Sequence, residues 1–270
     1  MMPSARIGYN AGVSAADDDA LLAVAVQAAR AAARELMPRF GERASGVHTK
    51  STPTDLVSDA DVAAEAAIRR VLAKRRSGDP ILGEEGGASG GDGEVRWVVD
   101  PLDGTVNYLF GIPAFAVSVA CLQAGEAVAG VVLDPVREEC FAATRAGAAT
   151  LNGRPIRGSQ RAELATAMVA TGFGYDAAVR RRQAEVVARV LPRVRDIRRV
   201  GAAALDLAWC ACGRFDAYYE RGVQPWDVAA GNLVCRRAGL EVRELPAGGA
   251  DPAGVAVAPA GLIDELLELV

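Results

Sequence analysis

Three separated stretches of the chain combine carboxylates with turn residues. Gly83-Glu84-Glu85-Gly86 closes an apolar run, and Trp97-Val98-Val99-Asp100-Pro101-Leu102-Asp103-Gly104-Thr105 carries a buried-strand pattern into a pair of acids. Tyr218-Tyr219-Glu220 is followed by Pro225-Trp226-Asp227. Two carboxylates as close as Asp100 and Asp103, beside apolar residues, repel each other and resist ionisation unless a cation sits between them. Pro101 is expected to stop the strand ladder. Gly104 lets the backbone come close to a ligand, and the N–H groups after it can open a helix and hold an anion. Carboxylates for a hard cation beside donors for an anion describe a magnesium–phosphate site. Taken singly, the stretches are a turn, a solvated acid pair and a helix N-terminus with an acid near its dipole. Their joint occurrence carries the inference.

The elements that must position these residues follow from periodicity. Residues 1–19 are small, polar and acidic and read as a flexible tail leading into a helix N-terminus. Leu21, Leu22, Val24, Ala25, Ala28, Ala32 and Leu36 fall near helical spacing over 20–37, and Pro38 ends the run. The polar stretch 41–58 reads as a loop or weak hairpin, and Val62, Ala66, Ile68 and Leu72 predict a helix over 60–76. Ile81-Leu82-Gly83 and Trp97-Val98-Val99 predict short buried strands joined by a Gly-rich loop, 86–93. Three β-rich runs follow, 115–122, 127–133 and 139–144, separated by Ala124-Gly125 and Asp134-Pro135. Strands spaced this way without helices favour an antiparallel meander.

The pattern changes near Asn152-Gly153-Arg154-Pro155. Beyond it, apolar runs at 167–171, 195–200, 215–219, 240–244 and 254–258 alternate with helical patterns at 178–191, 203–212, 226–238 and 260–269. That alternation argues a βα-type second half. The expected organisation is a tail (1–19), an N-terminal metal-binding α+β part (20–150) and a C-terminal αβ substrate part (151–270).

Composition narrows the classes. Thirty Lys and Arg against 34 Asp and Glu leave a net charge of −4, which argues against a nucleic-acid coat. No run approaches the roughly 18 apolar residues of a membrane span. The first twenty residues lack a basic stretch followed by an apolar block, so no signal peptide is expected. The five cysteines form no CxxC pair and read as reduced thiols of a cytoplasmic protein, with Cys210 and Cys212 in an apolar core helix. His48 is the single histidine, so a His-based triad or multi-His metal site has little to rest on. Carboxylates remain the candidates for hard chemistry.

The stretches stand in an order that resembles the inositol monophosphatase family, a branch of the magnesium-dependent, lithium-sensitive sugar phosphatases. The matching segments are KSTPTDLVSDAD (Lys50 to Asp61), GEE at 83–85, WVVDPLDGTVNY at 97–108, VGAAA at 200–204 and AYYERGVQPWDVAAG at 217–231. The resemblance covers roughly residues 20–265 and looks closest to bacterial inositol-1-monophosphatases of actinobacterial type. It implies an α/β layered sandwich of the sugar-phosphatase type, with an N-terminal antiparallel sheet and its helices plus a C-terminal αβ part.

It also implies site roles. Glu84, Asp100 and the Leu102 carbonyl would hold one Mg2+, and Asp100, Asp103 and Asp227 a second. Thr105 and Asp55 would orient and deprotonate the attacking water. The N–H groups of Gly104 and Thr105 would hold phosphate oxygens. Asp103, Glu220 and backbone groups at Gly201, Ala202 and Ala203 would meet polyol hydroxyls, and Lys50 would sit on a basic loop near the site. Ala202 departs from relatives that carry Thr or Ser there. The implied activity is hydrolysis of a phosphate monoester, foremost inositol 1-phosphate, by a cytoplasmic homodimer. Fructose-1,6-bisphosphatase, histidinol-phosphate phosphatase and 3′-phosphoadenosine-5′-phosphate phosphatase activities are the alternatives within this chemistry. A transcription-complex binding factor is the alternative outside it.

Overall fold

A computed structural model describes residues 15–41, 47–49 and 56–270. Helix α1 (Ala15–Leu36) starts before residue 20, because Asp17 and Asp18 suit its first turn. Buried Asp18 pairs with Arg145 at 3.2 Å, tying the helix start to the sheet. A short hairpin, β1 (His48–Thr49) with β2 (Leu56–Val57), leads to helix α2 (Asp59–Arg75). Ser58 caps α2 in a capping box: its hydroxyl accepts from the Ala60 amide, and Asp61 accepts from the Ser58 amide.

The next strands are β3 (Ile81–Gly83), β4 (Gly87–Ser89) and β5 (Val95–Asp103), followed by the short helix α3 (Thr105–Leu109). Strands β6 (Ala116–Gln123), β7 (Glu126–Asp134), β8 (Glu139–Thr144), β9 (Thr150–Leu151) and β10 (Arg154–Pro155) complete an eight-stranded sheet of order β10-β9-β8-β7-β6-β5-β3-β4. The meander expectation holds from β5 to β10, whereas β3 runs parallel to β5. Pro101 does not end β5. Pairing with β6 shifts register between Asp100 and Asp103, so the proline lies in an irregularity that the strand crosses. This sheet runs on through the β9–β10 hairpin, past residue 150.

Strand β11 (Met168–Thr171), helix α4 (Ala177–Val190), strand β12 (Asp196–Arg198), helix α5 (Ala203–Ala211), strand β13 (Ala217–Arg221) and helix α6 (Pro225–Arg237) alternate as expected. Strands β14 (Glu241–Leu245) and β15 (Gly254–Ala258) and helix α7 (Ile263–Leu267) follow. The second sheet has the order β12-β11-β13-β15-β14, parallel on one side of β13 and antiparallel on the other.

Alternation along β5 sorts its side chains into two cores. Trp97 and Val99 pack with α1 and α2, while Val98 packs with α5 and α6. Helices α5 and α6 lie between the two sheets, and α4 and α7 elements meet the outer face of the second sheet. The result is an α/β layered sandwich. Close packing of the middle layer depends on small residues. A Cβ at Gly130 of β7 would lie 3.0 Å from the Ala230 Cα of α6, and one at Gly231 would lie 2.6 Å from Leu207 of α5. Leu207 is fully buried where these two helices meet. Leu207→Ala is expected to cost about 2–5 kcal/mol in chemical unfolding, the usual range for a large-to-small core change. A loss well below that range would show that the α5–α6 seam is not the tight joint described.

Candidate active site

The acidic stretches meet at one end of the sheets, in a cleft of about 390 Å³. Glu84 arrives from the end of β3, and Asp100, Leu102 and Asp103 from β5. Gly104 and Thr105 come from the turn into α3, Gly201 and Ala203 from the start of α5, Glu220 from β13 and Asp227 from the first turn of α6. Ala202 is buried beneath this surface, and a Cβ at Gly104 would lie 3.1 Å from its methyl. Gly104 has φ +93°, which the sharp turn from β5 into α3 requires. A wider groove, about 540 Å³, lies between α1 and the β7–β8 turn and holds none of these residues.

Burial and mutual repulsion set the electrostatics. Asp100 is 2% exposed, and burial, then Glu84, Asp103 and Asp227, push its carboxyl well above the usual carboxylate range. A hydrogen bond with Glu84 acts in the same direction. Its Oδ1 also accepts from the Leu102 amide at 2.9 Å. Burial raises Asp103 to about 7, against the opposing pull of the Ala204 amide. Asp103 accepts from the Ala203 amide at 3.1 Å and the Ala204 amide at 2.7 Å, which joins the β5 end to the N-terminus of α5. The Ala203 N–H expected to meet a polyol is therefore already engaged.

Glu220 is also raised to about 7, chiefly by burial. The Tyr218 hydroxyl donates to it at 2.8 Å and lowers it, as does the nearby Arg199 charge. Arg199 lines the same cleft, its guanidinium 5.9 Å from the Phe173 ring centroid. Behind this wall, Asp206 is fully buried with neither carboxylate oxygen hydrogen-bonded, and burial holds it well above the usual range.

Thr105 finds a carboxylate that the sequence reading did not single out. Its hydroxyl lies 2.9 Å from Asp61 Oδ1 and 3.0 Å from the Leu102 carbonyl, and Asp61 is fully buried. Asp55 and Lys50 lie outside the described residues, as do the side-chain surroundings of His48. The signal for Asp61 was helix phase. Asp61, Ala64, Glu65, Ile68 and Leu72 form the buried side of α2, whereas Asp59 is exposed. Cys210 is buried and unpaired, as its apolar helix suggested.

The donor set is all oxygen. Among the described residues no three His, Cys, Asp or Glu side chains are drawn into a preformed cage. An all-oxygen donor set suits a hard cation. Glu84, Asp100, Asp103, Asp227 and the Leu102 carbonyl are the groups that could hold one. Each carboxylate oxygen already bonded to an amide retains a second lone pair.

Residues 17–267 match the family model for the inositol monophosphatase family. The chain belongs to that family. It is a phosphatase of a metal-dependent group, and its fold class agrees with the family's. It is 48% identical over 241 residues to "Inositol-1-monophosphatase SuhB" of Mycobacterium tuberculosis, covering 85% of this chain and 82% of that protein. It is 44% identical over 230 residues to "Nus factor SuhB" of Pseudomonas aeruginosa, covering 81% and 83%. The crystal structure of extragenic suppressor protein suhB from Bartonella henselae superposes with a TM-score of 0.86 at 38% identity, over 93% of this chain and 98% of that one.

The raised carboxyls fix the sign of a pH effect. Asp103 and Glu220 titrate near 7 when folded, against about 4 in an unfolded chain. Between those values the native state binds more protons, so stability falls as pH rises. Glu139 and Asp196 have lowered carboxyls, so their contribution has the opposite sign and is lost as pH falls. Melting curves in chelator should show Tm falling from about pH 5 to about pH 8, and a divalent cation should restore most of the loss at the upper end. A flat or rising metal-free curve would contradict this electrostatic picture.

Proposed function

We propose that this phosphatase hydrolyses a polyol phosphate monoester, foremost inositol 1-phosphate, with magnesium. The observation that carries the reading is the convergence of Glu84, Asp100, Asp103, Thr105, Glu220 and Asp227 on one cleft. Glu84, Asp100 and the Leu102 carbonyl would hold one Mg2+, and Asp100, Asp103 and Asp227 a second. Bound there, magnesium lowers the pKa of a water and stabilises the leaving alkoxide.

The protein's own groups supply position and proton transfer. The Thr105 hydroxyl has one proton for two acceptors, Asp61 and the Leu102 carbonyl. Were that carbonyl turned to a cation, the hydroxyl would donate to Asp61, leaving a Thr105 lone pair free to accept from the water. Asp61 is the carboxylate we assign to take the proton, in place of Asp55. The Gly104 and Thr105 amides would hold phosphate oxygens. Asp103 and Glu220 would accept from polyol hydroxyls, with Gly201 and Ala202 on the same side. Residues 20–150 thereby supply the first metal's ligands, and residues 151–270 supply Asp227 and Glu220.

Lithium sensitivity, a homodimer and a cytoplasmic location complete the reading through the family resemblance. The unpaired cysteines agree with a reducing compartment, and among the described residues no helix is long and apolar enough to cross a membrane. Arg199 favours a second reading. Its charge offsets the repulsion that Glu220 would exert on a second phosphate, so a sugar bisphosphate is the next substrate to assay.

Phosphate release from inositol 1-phosphate is expected with magnesium and not with chelator. Asp103→Asn should stay folded and lose most turnover. Full activity in chelator would overturn the metal assignment. Thr105→Ala and Asp61→Asn should each lower kcat by about 10²–10⁴-fold, the usual contribution of positioned proton transfer, with a smaller change in KM. Asp55→Asn should lower kcat far less. If Asp55→Asn gives the large loss and Asp61→Asn does not, the assignment of the proton acceptor reverses.

A further inference from the structure

Helix α2 carries a second buried carboxylate one turn beyond Asp61. Glu65 is 2% exposed, and Asp61 and Glu65 share one face at i, i+4 spacing. Its two oxygens grip the turn that follows Glu84. Oε2 accepts from the Glu85 amide at 2.8 Å, and Oε1 accepts from the Gly86 amide at 2.9 Å. The Glu84 amide donates to the Val99 carbonyl of β5 at 3.2 Å. Three successive amides are therefore fixed from two sides.

Arg69, one helical turn further on, completes the clamp. Its Nε donates to Glu65 Oε1 at 2.7 Å and its Nη2 to the Gly87 carbonyl at 2.8 Å, and it also reaches the Ser89 hydroxyl. The turn is moulded around the Glu65 carboxylate. A Cβ at Gly83 would lie 2.6 Å from Glu65 Oε1, and one at Gly86 would lie 2.5 Å from it. A side chain at either glycine would have to displace the Glu65 carboxylate or the turn it supports.

We propose that Glu65 is a positioning residue for the phosphatase reaction, holding the Glu84 turn in the one place from which Glu84 reaches a divalent cation. The proposal rests on the magnesium reading above. A carboxylate needed only for stability would be satisfied by Arg69. Glu65 instead gives an oxygen to each of two consecutive amides, which fixes translation and rotation of the turn together. Partners that orient a metal ligand in this way typically control affinity by 10–100-fold (order of magnitude). One face of α2 thus sets two parts of the site, Thr105 through Asp61 and Glu84 through Glu65.

The test uses the full-length protein and Glu65→Gln. The amide keeps one acceptor but presents an NH2 group to the second backbone N–H. The Mg2+ concentration for half-maximal activity should rise about tenfold or more. Mn2+ binding to the substrate-free protein, followed by calorimetry or electron paramagnetic resonance, should weaken by a similar factor. At saturating Mg2+, kcat should fall much less. Gly86→Ala attacks the same contact from the other side and should shift Mn2+ affinity in the same direction, so the test stands if Glu65→Gln does not fold. A lowered Tm with unchanged Mn2+ affinity in either folded variant would overturn the proposal and leave Glu65 a structural residue. Wild-type protein that binds no Mn2+ and works in chelator would overturn the magnesium reading itself, and this proposal with it.

Discussion

Like charges crowded into a buried place are costly, and this molecule crowds them deliberately. Asp100 sits at the end of a central strand, under the fields of Glu84, Asp103 and Asp227. Three of these acids are held in place by backbone amides. Leu102 donates to Asp100, the start of α5 donates to Asp103, and Gln224 donates to Asp227 at 2.7 Å. Without a cation, the crowding shows as carboxyls raised toward protonation. A cation held among these oxygens would relieve that repulsion.

Holding acids from two sheets this close demands thin walls. The middle layer of α5 and α6 packs on both sheets with alanines interspersed among larger side chains such as Leu205, Leu207 and Leu233. The approach of Gly130 to Ala230 lets α6 ride on the backbone of β7. The Ser118 hydroxyl donates to the Trp226 carbonyl at 2.9 Å, fixing the first turn of α6 one residue before Asp227. The alanine-rich composition is, in this respect, a property of the site.

Much of this was legible in the residues. Apolar runs alternating with helical patterns gave the strands of the second half within a few positions, and the joint acidic stretches gave the cleft. What escaped depended on partners distant in the chain. Pro101 was read as a stop because proline lacks an N–H, but the register shift beside it let β5 continue to Asp103. The start of α1 was placed late because Asp17 and Asp18 look like tail residues until Arg145 is brought beside them. Asp55 and Asp61 stand in the same quoted stretch. The phase of α2 and the arrival of Thr105 are what single out Asp61. The amide of Ala203 looked available because nothing local shows that Asp103, far upstream, accepts from it.

The order in which the cleft's parts leave the ribosome has a consequence of its own. Glu84, Asp100 and Asp103 emerge early, while Asp227 and the helices that separate the sheets come from the last third of the chain. The first sheet can pair as its strands appear, but one of its faces is covered only by α5 and α6. A nascent or truncated chain thus carries three of the acids on a half-covered sheet, with no fourth wall to close a cleft. On the proposed assignment of Asp227, hydrolytic competence would arrive only with the downstream helices.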